Sequence, residues 1–399
     1  WLVGISGAAL YAYAYNPYVI LLSIATVGLP QAVSKFVSKY NALGDYQTGR
    51  RLLRSGIVVM LFTGLITFLV LFFSAEVVAR FFIGEADTTG NRLDDVAQVI
   101  RVVSPALLII PVMSLIRGYF QGFESMGPTS LSQIVEQFVR VVFILVSAFI
   151  IMVLIDGDPV TAVSFAVFAA FVGGLSSLAV LFSYWKARKR YFDTLLEKSK
   201  KHESISLLAM YKELISYAIP FVFVGLAIPL YQFIDTATMV KALKAAGFVQ
   251  REAEVIYATV NQTTNKIIMI PVSVATAIGL TLIPTITKTY TSGNKKILHQ
   301  QITQTYQMLL FLTVPAAVGL SILSYPAYGA LYAMREVVIG GELLRWYAPT
   351  AILFALFTVS AAILQGINRQ TYAVVALAGG VLLKLLLNHW FVVRWGGMG

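Results

Sequence analysis

The sequence predicts an all-α polytopic membrane protein of two pseudo-symmetric six-helix lobes, of which this chain holds about ten transmembrane helices. Three observations lead there. Hydrophobic residues make up 58% of the chain and charged residues only 12%, with a mean hydropathy of +0.78; soluble domains carry about 25% charged residues. Apolar windows of about 20 residues, enough to cross a bilayer, recur along the whole length. Two long segments also repeat each other on either side of a basic linker.

The windows fall near 13–37, 55–76, 97–119, 130–154, 161–184, 214–238, 256–287, 302–328, 345–365 and 371–393. Barrel strands would alternate in polarity and be much shorter. The loops 38–54, 117–129, 185–213, 288–301 and 366–370 carry seventeen Lys and Arg, against six in the loops of the other face. That bias assigns the first set to the cytoplasm. The outer loops hold the acidic residues Glu85, Asp87, Asp94, Asp95, Asp156 and Asp158. A net charge of +11 then reads as basic cytoplasmic loops, and nucleic acid is not an expected partner, because the linker lacks the aromatic interleaving of base stacking. The absence of cysteine excludes disulfides and thiolate metal sites.

The linker 185–213 is basic and partly amphipathic, so it is expected to lie on the membrane surface against anionic lipids. It separates an N-terminal lobe, 1–184, from a C-terminal lobe, 214–399. The repeat is clearest between Ser104–Arg140 and Ala348–Lys384, at a constant offset of 244 residues. Pro105 then meets Pro349, Gln121-Gly122 meets Gln365-Gly366, and Arg140 meets Lys384. A weaker match sets Leu29-Pro30 against Ile283-Pro284. On this repeat the helix at 214–238 expects its partner before Trp1, and the helix at 161–184 after Gly399, so both ends read as cuts.

No catalytic constellation is present. His202, His299 and His389 are scattered, and no metal cluster, nucleotide loop or nucleophile motif occurs. The informative residues are charges inside spans, which cost roughly 2.5–3.5 kcal/mol each and often line a water-filled path. Lys266 stands in Asn261–Pro284 beside Asn261, Gln262 and Asn265, with Pro271 inviting a kink one turn later. It either meets an anionic cargo, together with Asn261, Asn265 and Arg117, or snorkels to the interface. Arg117, near the cytoplasmic end of its span, has the same two readings. Glu136 and Arg140 are spaced as a self-neutralising pair one turn apart. Asp235 is a lone carboxylate, and Lys384 with Asn388 lies one turn apart on the last helix. These three are expected to form either a charge pair or an ion site.

The runs ALYAYAYNPYVILLSIATVGLPQAVSKFVSKYNALGDYQTGRRLLRSG, PVMSLIRGYFQGFESMGPTSLSQIVEQFVR and IMIPVSVATAIGLTLIPTITKTYTSGN resemble the Gram-positive branch of the lipid II flippases. These belong to the multidrug/oligosaccharidyl-lipid/polysaccharide exporter superfamily, beside sporulation protein B-like transporters. The resemblance covers nearly the whole chain and implies fourteen helices, two lobes of six plus a C-terminal pair. It implies a multi-pass protein of the bacterial cytoplasmic membrane that moves an undecaprenyl-pyrophosphate-linked peptidoglycan precursor outward by alternating access, with cell-wall synthesis enzymes as further partners. Lys266 occupies the family's essential basic position five residues before the proline. Leu21-Leu22 stand where some members have an arginine pair. Asp235, Lys384 and Asn388 match a sodium site, and the Lys384 ammonium is expected to replace sodium there, leaving the membrane potential as the drive. No other cofactor is implied. The rival readings are export of another lipid-linked glycan (capsule or spore cortex), a drug/cation antiporter, which would have an acidic cavity, and a non-transporting scaffold.

Overall fold

The computed structural model describes residues 3–26, 29–83, 90–199, 206–291, 293–332, 336–367 and 369–398. Glu85, Asp87 and His202, named above, and Lys200, Lys201 and Arg335, counted among the basic loop residues, lie outside the described residues. The first half comprises α1 (Gly4–Thr26), α2 (Leu29–Ala42), α3 (Tyr46–Phe73), α4 (Ala75–Ile83), α5 (Leu93–Val103), α6 (Ala106–Gly122), α7 (Met126–Phe149) and α8 (Pro159–Ala187). A short α9 (Lys189–Glu197) leads into the second half, α10 (Leu207–Gly225), α11 (Ala227–Ala245), α12 (Gln250–Ala258), α13 (Asn265–Thr291), α14 (Lys295–Ile322), α15 (Ser324–Leu331), α16 (Val337–Tyr347), α17 (Thr350–Gly366) and α18 (Gln370–Trp395). A π-helical stretch, Thr259–Thr264, joins α12 to α13.

Among the described residues, six stretches are long and apolar enough to cross a membrane: Tyr46–Phe73, Leu93–Gly122, Met126–Leu154, Pro159–Ala187, Lys295–Ile322 and Thr371–Met398. The pair α16 and α17, bent by 47°, makes a seventh. The bend has a local cause, because Pro349 sits between them and a proline supplies no amide donor. The remaining expected windows fall on interrupted helices: α1 with α2, α10 with α11, and α12 with α13. Large apolar side chains such as Phe62, Phe73, Phe138, Phe311 and Leu386 are exposed along these helices. Contiguous apolar surface of that extent suits hydrocarbon rather than water.

The repeat governs the architecture. An offset of 244 carries the first and last residues of α5 and α6 onto those of α16 and α17, and the start of α7 onto the start of α18. An offset of 249 carries α3 onto α14 end to end. The packing repeats as well: α2 and α3 lie on α6 as α13 and α14 lie on α17, and α4 lies on α5 as α15 lies on α16. The turn entering α3 explains the second register. Gly44 and Gly293 both take positive φ, 76° and 74°, where a side chain would be strained. Asp45 and Asn294, next in line, cap α3 and α14 by accepting from the amides of Thr48 and Ile297. In this register Asn16-Pro17 of α1 stands opposite Asn265-Lys266, and the weaker match of Pro30 with Pro284 does not hold.

Close helix approach is set by small residues. A Cβ on Gly118 of α6 would come 2.7 Å from the Pro30 carbonyl oxygen, and one on Gly122 would come 2.5 Å from the Val37 Cβ. This spacing of four lets α2 press against α6, as small residues do in membrane helix pairs. The linker helix α9 docks by one side chain, Phe192, which is buried against Trp185 and Phe123, both with ring centroids 5.1 Å away.

Candidate functional site

An ion pair in the second half joins α11 and α18. Asp235 of α11 lies 2.8 Å from the Lys384 ammonium of α18 through each of its carboxylate oxygens. Asn388, one turn beyond Lys384, donates to Thr238 at 2.7 Å. The pair borders a cavity of about 390 Å³ shared with Tyr231, Asn261, Asn265 and Tyr347. Asn265 donates to the Tyr347 hydroxyl at 3.1 Å, and Asn261 packs its amide on the Met239 sulfur. Asn261 and Asn265 therefore belong to the Asp235 cavity and not, as expected, to a group around Lys266. The reason is helical geometry: neighbours in sequence point about 100° apart, so Asn265 and Lys266 serve different surfaces.

Lys266 emerges where α1 meets α13. Its side chain is exposed, beside the Tyr11 face of α1. Among the described residues it makes no ion pair; its ammonium lies 6.0 Å from the centre of the Tyr11 ring. Tyr11 begins a ladder on α1, stacking on Tyr15 at 5.0 Å, with Tyr15 tilted on Tyr18 at 5.3 Å. Arg140 of α7 lies within electrostatic reach of all three tyrosines. Lys266 and Arg140, from the two halves of the chain, thus flank one aromatic wall, with Tyr11 as common neighbour.

Glu136 does not chiefly serve Arg140, as its spacing suggested. Its short contact is to Arg117, at 2.7 Å, while Arg140 stands 3.9 Å away and leaves a buried Nε without a partner. Arg117 neither snorkels nor faces a cleft. It is 9% exposed and turns inward between α6, α7 and α8, donating also to Ser132 at 3.0 Å and to Ser177 at 2.8 Å. Three of its five N–H donors are taken by these partners, and its burial among them removes it from the cargo-facing set. The cluster of Arg117, Arg140 and Glu136 keeps one positive charge in excess, on Arg140.

Two further groups escaped the sequence reading, because each joins residues far apart in the chain. On the outer side, Glu254 of α12 accepts from the amide of Asn91 at 3.1 Å, from its side chain at 2.8 Å and from Gln250 at 3.2 Å. Glu254 is only 1% exposed, and burial pushes its carboxyl above the usual range. Deeper, Asn16 of α1 donates to Thr236 at 2.5 Å and to Tyr257 at 3.2 Å, and Tyr13 stacks on Tyr257 at 5.5 Å. Both groups tie the first half to the second on the outer side. At the cytoplasmic end, Glu213 of α10 accepts from Lys39 at 2.7 Å and from Tyr40 at 3.1 Å. No group of acidic, histidine or cysteine residues suited to a metal occurs among the described residues.

The fold and these contacts can be set beside known proteins. The model of a family described as polysaccharide biosynthesis protein matches residues 2–290, and that of MatE matches residues 256–390. Over 389 residues the chain is 51% identical to the lipid II flippase MurJ of Bacillus subtilis, covering 97% of this chain and 71% of that one. Over 393 residues it is 24% identical to stage V sporulation protein B of the same organism, covering 96% and 70%. In structure it is similar to a multidrug resistance MATE family transporter of the MOP superfamily in its inward-facing conformation. The TM-score is 0.78 at 14% identity, over 100% of this chain and 88% of that one. A MOP superfamily transporter from Pyrococcus furiosus gives 0.66 at 15% identity, over 100% and 84%. The all-α polytopic fold is thus that of MOP superfamily transporters in the cytoplasmic membrane, and the protein is a transporter and not an enzyme. The chain belongs to the polysaccharide biosynthesis protein family, in the branch that includes the Bacillus subtilis lipid II flippase MurJ.

Proposed function

We propose that the protein flips the undecaprenyl-pyrophosphate-linked peptidoglycan precursor, lipid II, from the inner to the outer leaflet. The observation that carries this is Lys266, a cation that has no counter-charge among the described residues and faces the aromatic wall between the two halves. An ammonium in such a low-dielectric cleft gains a charge-assisted contact with a pyrophosphate, and the excess charge of Arg140 stands beside the same wall. A drug/cation exporter needs the opposite polarity there.

The two halves act as lobes that take turns opening. With Glu254 bound to Asn91, and Asn16 to Thr236 and Tyr257, the outer side is held shut while cargo enters from the cytoplasm. Breaking these contacts opens the outer side, and the lipid tail stays in the bilayer throughout. The membrane potential favours outward movement of the anionic headgroup by about 2.3 kcal/mol per charge per 100 mV. The Lys384 ammonium supplies Asp235 with the positive charge that a sodium ion would bring, so transport proceeds without sodium. The basic face of the 185–213 linker rests on anionic lipids.

The test is growth of a strain in which the full-length protein is its only lipid II flippase. Lys266→Ala is expected to abolish growth at normal expression; undiminished growth overturns the reading. Parallel complementation of strains lacking a capsule or spore-cortex glycan flippase tells lipid II from a sister cargo.

A further inference from the structure

A second basic site lies away from the aromatic wall, at the cytoplasmic ends of α3, α6 and α8. There a cavity of about 570 Å³ is walled by Leu53 and Ile57 of α3, Ile116 of α6, and Leu178 and Phe182 of α8. Two arginines, Arg50 and Arg54, stand at its cytoplasmic end in the first turns of α3. The Arg50 guanidinium lies 4.3 Å over the Trp185 ring and is within hydrogen-bonding reach of Tyr119, yet its Nη1 is buried with no partner. Arg54 is exposed and makes no ion pair among the described residues. An unpartnered buried guanidinium N–H is costly unless an acceptor arrives.

We propose that this cavity holds one anionic phospholipid of the inner leaflet, its phosphate on Arg50 and Arg54 and an acyl chain in the groove below. Three features select that occupant. Both arginines sit at the level where the positive-inside bias places lipid headgroups, beside Trp185, a residue type enriched at that interface. From Trp185 to Leu175 the groove follows about 15 Å of α8, close to one leaflet of a hydrocarbon core about 30 Å thick. The groove also opens on lipid-facing surface, where Val58 and Phe62 of α3 are exposed. A free phosphate would satisfy the guanidinium groups but leave the apolar walls empty. The bound lipid would brace Trp185, and through it Phe192 of the linker helix. The site is independent of the cargo assigned above.

The experiment uses the full-length protein, delipidated in detergent and titrated by native mass spectrometry. The probes are dioleoylphosphatidylglycerol, dioleoylphosphatidylcholine and glycerol 3-phosphate. The wild type is expected to hold one phosphatidylglycerol about tenfold tighter than phosphatidylcholine, a preference that R50Q/R54Q removes. Leu178→Trp, which fills the groove, should weaken both lipids. R54Q alone changes an exposed side chain with no ion pair among the described residues, so it folds even if the double variant does not, and it should lose about half of the selectivity on a logarithmic scale. Unchanged phosphatidylglycerol binding in R54Q and R50Q/R54Q overturns the proposal. So does displacement of the lipid by equimolar glycerol 3-phosphate, which would mark a site for the phosphate alone.

Discussion

The Lys384 ammonium sits 2.8 Å from both carboxylate oxygens of Asp235, tying α18 to α11 across the cavity that Asn261 and Asn265 also line. Either charge alone would be expensive within a membrane span. Removing one partner from a largely buried pair leaves the other uncompensated, at about 3–5 kcal/mol. Lys384→Met or Asp235→Asn alone should therefore lower the melting temperature of the detergent-solubilised protein clearly. The double substitution should recover much of the loss. Equal and additive losses would show that the pair does not couple.

The same pair bears on ion coupling. Flipping in proteoliposomes should be unchanged when sodium is replaced by potassium, because Lys384 already neutralises Asp235. A strict sodium requirement would refute that.

Lys266 and Arg117 are both basic and near spans, but the structure gives them opposite roles. Lys266→Ala should reduce cargo affinity by about 10- to 100-fold, the equivalent of one charge-assisted hydrogen bond, with thermal stability little changed. Lys266→Arg keeps the charge and should keep most of the activity. Arg117→Ala leaves Glu136 only its longer contact to Arg140 and leaves Ser132 and Ser177 without their donor, so it should act on folding and lower the melting temperature. A normal melt with lost cargo affinity in Arg117→Ala would reverse that assignment.

Glu254 makes the outer closure sensitive to pH. Burial raises its carboxyl pKa in the closed form above that of a solvated glutamate, about 4.3. The closed form therefore binds more protons than the open one at a given pH. Closure is favoured below the solvated value and weakens as pH rises from there through the raised value. The chain has no cysteine, so a single Ser6→Cys beside Asn91 can report opening by labelling with a maleimide that does not cross membranes. Because the thiolate fraction itself rises with pH, the readout is the labelling rate relative to the same cysteine in a Glu254→Gln background, and this ratio should rise with pH over that window. A ratio that does not change with pH would remove Glu254 as the cause.

Much of this was written in the sequence, for local reasons. Hydropathy depends on about 20 neighbouring residues at a time, so the long spans could be read directly. The repeat of Ser104–Arg140 in Ala348–Lys384 marked helices whose ends coincide in the structure. Asp235 and Lys384 could be expected to meet, because hydrocarbon gives two lone opposite charges few other choices. Sequence spacing misled where more than one partner was in reach. Glu136 has Arg140 one turn away, yet takes Arg117, because the crossing of α6 on α7 brings that guanidinium closer. Asn265 adjoins Lys266 in the chain but turns to Tyr347. The outer closure of Asn91 on Glu254 joins a loop to a helix far apart in sequence, and no local pattern announces it. The sequence by itself determined which segments enter the membrane and how they repeat, since burial in hydrocarbon acts on each segment alone. Only the tertiary structure decided which charges are neutralised and which, like Lys266, have no counter-charge among the described residues, since helix rotation and crossing set distances that composition does not encode.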